Sequence, residues 1–247
     1  MMTATLPEKL DTLCLTWMAQ NIEELIEDAT QRRLGHRQFV ETLVDGEREA
    51  RLARAAQRRL KRAKIPAEKT LDGFDFNWAD GLDEDAVREL MRLDFLHRGQ
   101  NIVFIGNVGL GKSHIAYAIA REACLRNHSV RCVSAWKLAP ELIAARKAGT
   151  FGRLFKKLVN PDLLLVDELG FVGMDQLQAD IFFQLICTRY EANRSLIITT
   201  NRPYGEWDKT FANDNAIASA ITDRLVHRSR TFILTGESRR LHEHQST

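Results

Sequence analysis

Gly106-Asn107-Val108-Gly109-Leu110-Gly111-Lys112-Ser113 matches G-x-x-x-x-G-K-[ST] at every fixed position. The apolar run Asn101-Ile102-Val103-Phe104-Ile105 stands directly before it and a helix-like stretch, His114 to Ala123, directly after. A strand, a glycine-rich loop and a helix in that order are the context in which this pattern grips nucleotide phosphates. Glycines let backbone N–H groups curl round the phosphates, the Lys112 ammonium neutralises the β and γ oxygens, and the Ser113 hydroxyl completes a Mg²⁺ shell. The helix that opens at Ser113 turns its positive dipole end toward the same anion. Gly106 to His114 is therefore the expected nucleotide-binding segment.

A second element has to supply the rest of the metal chemistry, and Leu163-Leu164-Leu165-Val166-Asp167-Glu168 has the form for it. An unbroken apolar run suits a parallel strand covered on both faces, and acids at its carboxyl end lie where α/β sheets place ligands. Asp167 is expected to hold Mg²⁺ through water, and Glu168 to orient and deprotonate the attacking water. Alone, such a run describes many strands with solvated ends. The loop upstream gives it its meaning.

The 247 residues exceed a minimal phosphate-loop core and fall short of two full domains, so one nucleotide-binding domain with a smaller appendage is expected. The texture changes near residue 70, which separates a helical leader, 1–69, from the core, 70–247. Strand-like runs at Ile102 to Ile105, Val130 to Ser134, Leu163 to Val166, Leu196 to Thr200 and Thr231 to Leu234 alternate with helical stretches. That alternation predicts an α/β fold on a parallel five-stranded sheet. No apolar stretch approaches the length of a membrane span, and Met1-Met2-Thr3-Ala4-Thr5 lacks the blocks of a secretory signal, so a cytoplasmic protein is expected. Cys14, Cys124, Cys132 and Cys187 show no metal-binding spacing and read as buried or idle thiols.

In the leader, Leu10, Leu13, Cys14, Trp17, Met18, Ile22, Leu25 and Ile26 recur every three or four positions, as one face of a helix demands. A second helix from about His36 carries Phe39, Val40, Leu43, Val44, Leu52 and Leu60 and stops before Pro66, with Leu34-Gly35 as the turn and Gly46 as a weak point. Although the formal net charge is only +2, Arg48, Arg51, Arg54, Arg58, Arg59, Lys61, Arg62 and Lys64 crowd this second helix. Such a stretch suits DNA phosphates, and equally a solvated helix face. Arg146, Lys147, Arg153, Lys156 and Lys157, around Gly149-Thr150-Phe151-Gly152, form a second patch with the same two readings. Phe74 and Phe76, in the linker Leu71 to Phe76, read as anchors of that linker, with stacking on adenine as the alternative.

With both nucleotide motifs placed, the chain resembles the IstB family of insertion-sequence transposition helpers, AAA+ ATPases related to the DnaC helicase loaders. The resemblance rests on Gly106 to Ser113 with His114 following, Val166-Asp167-Glu168-Leu169-Gly170, Arg189-Tyr190-Glu191, Ile198-Thr199-Thr200-Asn201-Arg202-Pro203, Asp223-Arg224-Leu225-Val226-His227 and the tail Gly236-Glu237-Ser238, and runs from roughly residue 8 to 243. It implies a P-loop AAA+ three-layer sandwich without a full C-terminal lid, with ATP and Mg²⁺ as cofactors. Asn201 resembles the sensor that holds the attacking water, and Arg224 looks like an arginine finger reaching the ATP site of an adjacent subunit. Departures are Asn107 and Val108, where the family commonly has prolines, and Arg239, where it usually has an aromatic; Arg240 is a candidate second sensor.

The reading that follows is an ATP-dependent DNA-binding helper that forms a homo-oligomer on duplex DNA and recruits or stimulates its cognate transposase, with no membrane partner. Lys112, Glu168, Asn201 and Arg224 are its expected catalytic residues, Ser113 and Asp167 its metal ligands. Its expected DNA contacts are Arg48, Arg51, Arg54, Arg58, Arg59, Arg62, Arg146, Lys147, Arg153 and Lys156. A replicative helicase loader with a nearly identical ATP site is the alternative.

Overall fold

Three helices open the chain: α1 (Leu6–Thr12), α2 (Thr16–Gln31) and α3 (His36–Ala63). The computed structural model describes residues 4–72, 74–78, 80–236 and 238, so Arg239 and Arg240 lie outside the described residues. The single helix expected over Leu10 to Ile26 is two, because Cys14 takes a left-handed backbone conformation with φ 58° and turns the chain between α1 and α2. Apolar periodicity runs on across the break because it marks a shared face, not an unbroken helix. The weak point at Gly46 does not interrupt α3, which runs for 28 residues. Glycine stands there because the Trp17 indole lies directly on the helix: a β-carbon at position 46 would overlap the ring. Close packing thus accounts for a residue that by propensity costs a helix about 1 kcal/mol.

Next to it, Glu47 is buried on α3 and acts as a cap supplied from another helix. Its carboxylate accepts the N–H groups of Trp17 at 2.9 Å and Met18 at 3.1 Å, donors at the start of α2 that have no partner within their own helix. Its other oxygen receives Arg51 Nε at 3.0 Å and Arg54 Nη2 at 2.9 Å. Burial works to raise its pKa, but these hydrogen bonds, from the Met18 backbone and Arg51 first, outweigh it and hold the carboxyl below the ordinary value of 4.5. Because the folded value is the depressed one, the stabilisation is present above pH 4.5 and lost as pH falls through the folded value. Glu47→Ala is therefore expected to cost about 2 kcal/mol at neutral pH, the scale of a lost cap plus stranded donors. In urea unfolding the gap between variant and wild type should narrow below pH 4.5; a gap that widens there would contradict the assignment.

The chain divides into two units, residues 1–58 and 59–247. Residues 59–69, read from sequence as part of the leader, pack with the sheet: Leu60 and Ala63 are buried in its core, and Arg59 Nε donates to the Cys124 carbonyl at 2.8 Å. Further along come α4 (Glu84–Leu90) and α5 (Asp94–His97), parted at Leu93 with φ 66°.

The sheet follows as β1 (Asn101–Gly106), α6 (Lys112–Leu125), β2 (Val130–Ser134), α7 (Ala135–Lys147), α8 (Phe151–Val159), β3 (Leu163–Leu169), α9 (Gln176–Glu191), β4 (Ser195–Thr200), α10 (Asn215–Val226) and β5 (Ser229–Leu234). All five strands are parallel, in the order β2-β3-β4-β1-β5. Strand residues alternate between two cores. Ile102, Phe104, Leu163, Leu165 and Ile197 pack on one face with Ile115 and Ile119 of α6, while Val103, Leu164, Val166, Leu196 and Ile198 pack on the other with Leu138, Phe182 and Ile221. Helices on both faces explain why the strands read as unbroken apolar runs, each fully buried side chain contributing about 1.5–3 kcal/mol. Among the described residues no helix is long and apolar enough to cross a membrane.

Arg189, in the motif Arg189-Tyr190-Glu191, is wholly buried at the end of α9. Its guanidinium donates to the carbonyls of Leu158 at 2.8 Å, Val159 at 2.9 Å, Pro161 at 3.0 Å and Ser195 at 2.5 Å. Burial lowers its pKa to about 9, so it stays charged at neutral pH and its cation is solvated by carbonyl dipoles at the end of α8 and the start of β4. Its work is to lock α8, α9 and β4 together. Cys124 and Cys132 are buried, as expected, and no cysteine is disulfide-bonded among the described residues; burial raises the Cys124 thiol to about 11.

Candidate functional site

The order β3-β4-β1 brings the carboxyl ends of three strands side by side, and the phosphate loop, the acids of β3 and Asn201 all reach this edge. The loop leaves β1 at Gly106 and enters α6 at Lys112. Gly109 and Gly111 take φ 89° and 84°, values that side chains resist. A β-carbon on Gly111 would also press on the Phe74 ring at 2.7 Å, and one on Gly109 would collide with the Ser238 hydroxyl. What the loop offers an anion is therefore backbone N–H groups and the unblocked start of a 14-residue helix.

Lys112 is largely buried and its ammonium donates to the Asn107 carbonyl at 2.6 Å, which holds it over the loop. Ser113 Oγ donates to Asp167 Oδ1 at 2.7 Å across the gap from α6 to β3. A hydroxyl and a carboxylate so placed are the hard oxygen ligands that Mg²⁺ takes while keeping several waters, so the donor set fits the metal expected from sequence. Glu168, the next residue, is exposed and lines the cleft. Asn201 lines it too, from the end of β4. One turn along α6, burial together with the charges of Asp167 and Glu168 pushes the Tyr117 phenol up, keeping it neutral.

The cleft measures about 640 Å³, room for a nucleotide. One wall comes from the linker, through Glu68, Lys69, Phe74 and Trp78. The two linker aromatics separate in role. Phe76 is buried in the core as an anchor, whereas Phe74, half-buried against the same core, also lines the cleft with its ring 5.2 Å from that of His114. His114 Nε2 donates to the Thr70 carbonyl at 2.5 Å, and since a carbonyl only accepts, this nitrogen carries the proton. Sequence reasoning passed over Phe171 and Thr199, which also line the cleft. For Thr199 the overlooked signal is the pair of hydroxyls, Thr199-Thr200, that ends a fully buried strand.

Arg224 is not among the residues lining this cleft. It sits on α10, its Nη1 donating to Ala220 O at 3.0 Å and its guanidinium 5.2 Å above the Phe183 ring. Of the basic residues on α3, Arg51 and Arg54 are committed to Glu47, Arg59 to Cys124, and Arg48 to the exposed Asp45 at 3.5 Å. Arg58, Lys61 and Arg62 are exposed without an ion pair among the described residues. In the second patch, α8 buries Leu158 and turns Phe151, Leu154 and Phe155 inward at helical spacing. Arg153, Lys156 and Lys157, with Arg146 and Lys147 at the end of α7, are exposed and make no ion pair among the described residues.

Comparisons with known proteins give both the family and the fold. The ATP-binding protein of insertion sequence IS5376 from Geobacillus stearothermophilus is 38% identical over 234 residues, 94% of this chain and 91% of that protein. Among solved structures, the replication initiator DnaA bound to AMPPCP and single-stranded DNA superposes with TM-score 0.60 at 22% identity, over 70% of this chain and 51% of that one. DnaI superposes with TM-score 0.59 at 23% identity, over 69% of this chain and 95% of that one. These two likenesses establish the P-loop AAA+ fold of the sheet domain. The family model of IstB-like ATP binding proteins matches residues 8–247, and the chain belongs to that family.

Proposed function

We propose that this protein is an ATPase that assembles as a homo-oligomer on duplex DNA and recruits or stimulates the transposase of its insertion sequence. The observation that carries the reading is the division of the catalytic set. Lys112, Ser113, Asp167, Glu168 and Asn201 gather on one cleft, while Arg224 sits outside it on α10. A site so divided is finished by a second copy.

In this reading Lys112 and the loop N–H groups bind the β- and γ-phosphates of ATP, and Phe74 offers a face to the base. Ser113 and Asp167 would hold Mg²⁺, which when bound would supply neutralising charge to the phosphate oxygens. Asn201 orients a water in line with the γ-phosphorus, and a Glu168 carboxylate oxygen takes its proton as the P–O bond to ADP breaks. Arg224 of the next subunit stabilises the charge on the transferring group, an effect of about 10³ to 10⁵ in rate for arginines supplied in this way. ATP thereby becomes the link between subunits, and the cations of α3, α7 and α8 are brought to DNA phosphates together. Relatives named as insertion-sequence ATP-binding proteins support the transposition setting.

Duplex DNA is expected to raise ATP turnover well above single strands of the same length, with binding that weakens steeply as salt rises. Converting Arg146 and Lys147 to alanine should lower the logarithmic salt slope by about 1 for each phosphate that is no longer neutralised. Preference for single strands together with a stable complex with a replicative helicase would overturn this in favour of a loader.

A further inference from the structure

Consecutive residues of a regular strand point to opposite faces, yet Asp167 and Glu168 both serve one edge: Asp167 meets Ser113, and Glu168 lines the cleft. The pairing of β3 with β4 explains how. Val166 is registered with Ile198 and Leu169 with Thr200, so both acids lie opposite the single residue Thr199, a bulge in the ladder. At the bulge Glu168 has φ 59°, a left-handed conformation that a non-glycine residue keeps only where its surroundings hold it. Bulging also removes regular ladder bonds at this point. The Thr199 hydroxyl makes good the loss, accepting the Glu168 N–H at 2.9 Å and donating to Asp167 Oδ1. Asp167 Oδ1 is the same oxygen that receives Ser113, and Thr199 itself is 1% exposed.

We propose that Thr199 is the positioning residue that lets two adjacent acids act on one nucleotide: it holds Glu168 in its turned conformation and fixes the Asp167 carboxylate for the metal. The role rests on the reading of the cleft as an ATP–Mg²⁺ site. Ordinary packing would ask only for a β-branched side chain, which valine supplies at equal volume. The hydroxyl, with one acceptor and one donor each used toward an acid, is what valine lacks.

Thr199→Val and Thr199→Ser separate these possibilities. In the nucleotide-free protein, Thr199→Val is expected to speed amide hydrogen exchange at Glu168 by roughly tenfold or more, since a bonded N–H loses its acceptor. With a non-hydrolysable ATP analogue, the Mg²⁺ concentration for half-maximal tightening should rise by about tenfold, while affinity without Mg²⁺ stays within about twofold. The kcat for ATP should fall by about tenfold or more with little change in KM, and Thr199→Ser should restore all three. Unchanged exchange at Glu168 overturns the proposal even if the cleft binds no nucleotide, an outcome that would separately sink the ATP reading. A wild-type Mg²⁺ response in Thr199→Val, an equal loss of Mg²⁺-free affinity, or a serine variant no better than valine also overturns it.

Discussion

Glu168→Gln is expected to abolish most ATP turnover while leaving ATP binding in place. Glutamine matches the size of glutamate and keeps an oxygen that can accept a hydrogen bond from water, so the exposed side chain at the bulge can still hold that water. What it cannot do is take the proton, and removal of a positioned base typically costs about 10² to 10⁴ in rate. Lys112 and the loop N–H groups are untouched by the change, so affinity for ATP should move by only a few-fold. The two properties therefore part in this variant, whereas Lys112→Ala should lose binding itself because the ammonium over the loop is gone. If ATP is the link between subunits, Glu168→Gln should also persist on duplex DNA after wild type has released it. Steady-state phosphate release, analogue binding and sedimentation on DNA read the three effects. Turnover within about tenfold of wild type would remove Glu168 from the role of base.

Arg224→Ala should be nearly as damaging, but for a reason that lies between molecules. In its own chain the guanidinium rests on Ala220 and Phe183, away from the cleft, so its loss should leave analogue binding by dilute protein unchanged. In the assembled state the loss is expected to be about 10³-fold or more. Mixing the two variants gives the decisive comparison. Glu168→Gln has an intact Arg224, Arg224→Ala has an intact cleft, and each is inactive alone. A finger acting in trans predicts that the mixture regains activity, because some interfaces then join an intact cleft to an intact arginine; a finger acting in cis predicts none. Wild-type turnover should correspondingly rise with protein concentration, and full turnover by a dilute single chain would contradict the scheme.

Local chemistry made much of this protein legible beforehand. A glycine pattern states its own backbone requirement, and the unbroken apolar runs of β1, β3 and β4 announce a sheet covered on both faces. That is why residue order alone places the phosphate loop and the acids of β3, with Asn201 added by the family resemblance, and why they meet on one edge. Periodicity misleads where it stands in for continuity. The apolar period crosses Cys14 without a fault, yet that residue takes a left-handed backbone and parts two helices. Gly46, by contrast, has the look of a break and is a site of close packing, because propensity carries no information about the indole that lies on it.

Charge was the least readable feature. Arg48, Arg51, Arg54, Arg58, Arg59 and Arg62 are the same residue type at helical spacing, and nothing in their order says which face inward. Packing settles it: Glu47, buried against the start of α2, engages Arg51 and Arg54 further along its own helix, and the distant Cys124 carbonyl engages Arg59, which leaves Arg58 and Arg62 exposed. Composition and spacing dictated the ATP-binding fold and the edge where its chemistry lies, since these follow from backbone geometry and burial along contiguous segments. The use of each polar group was decided by chain packing, because a hydrogen bond such as that from Thr199 to Asp167, or the parking of Arg224 on Phe183, joins residues whose proximity exists only after folding.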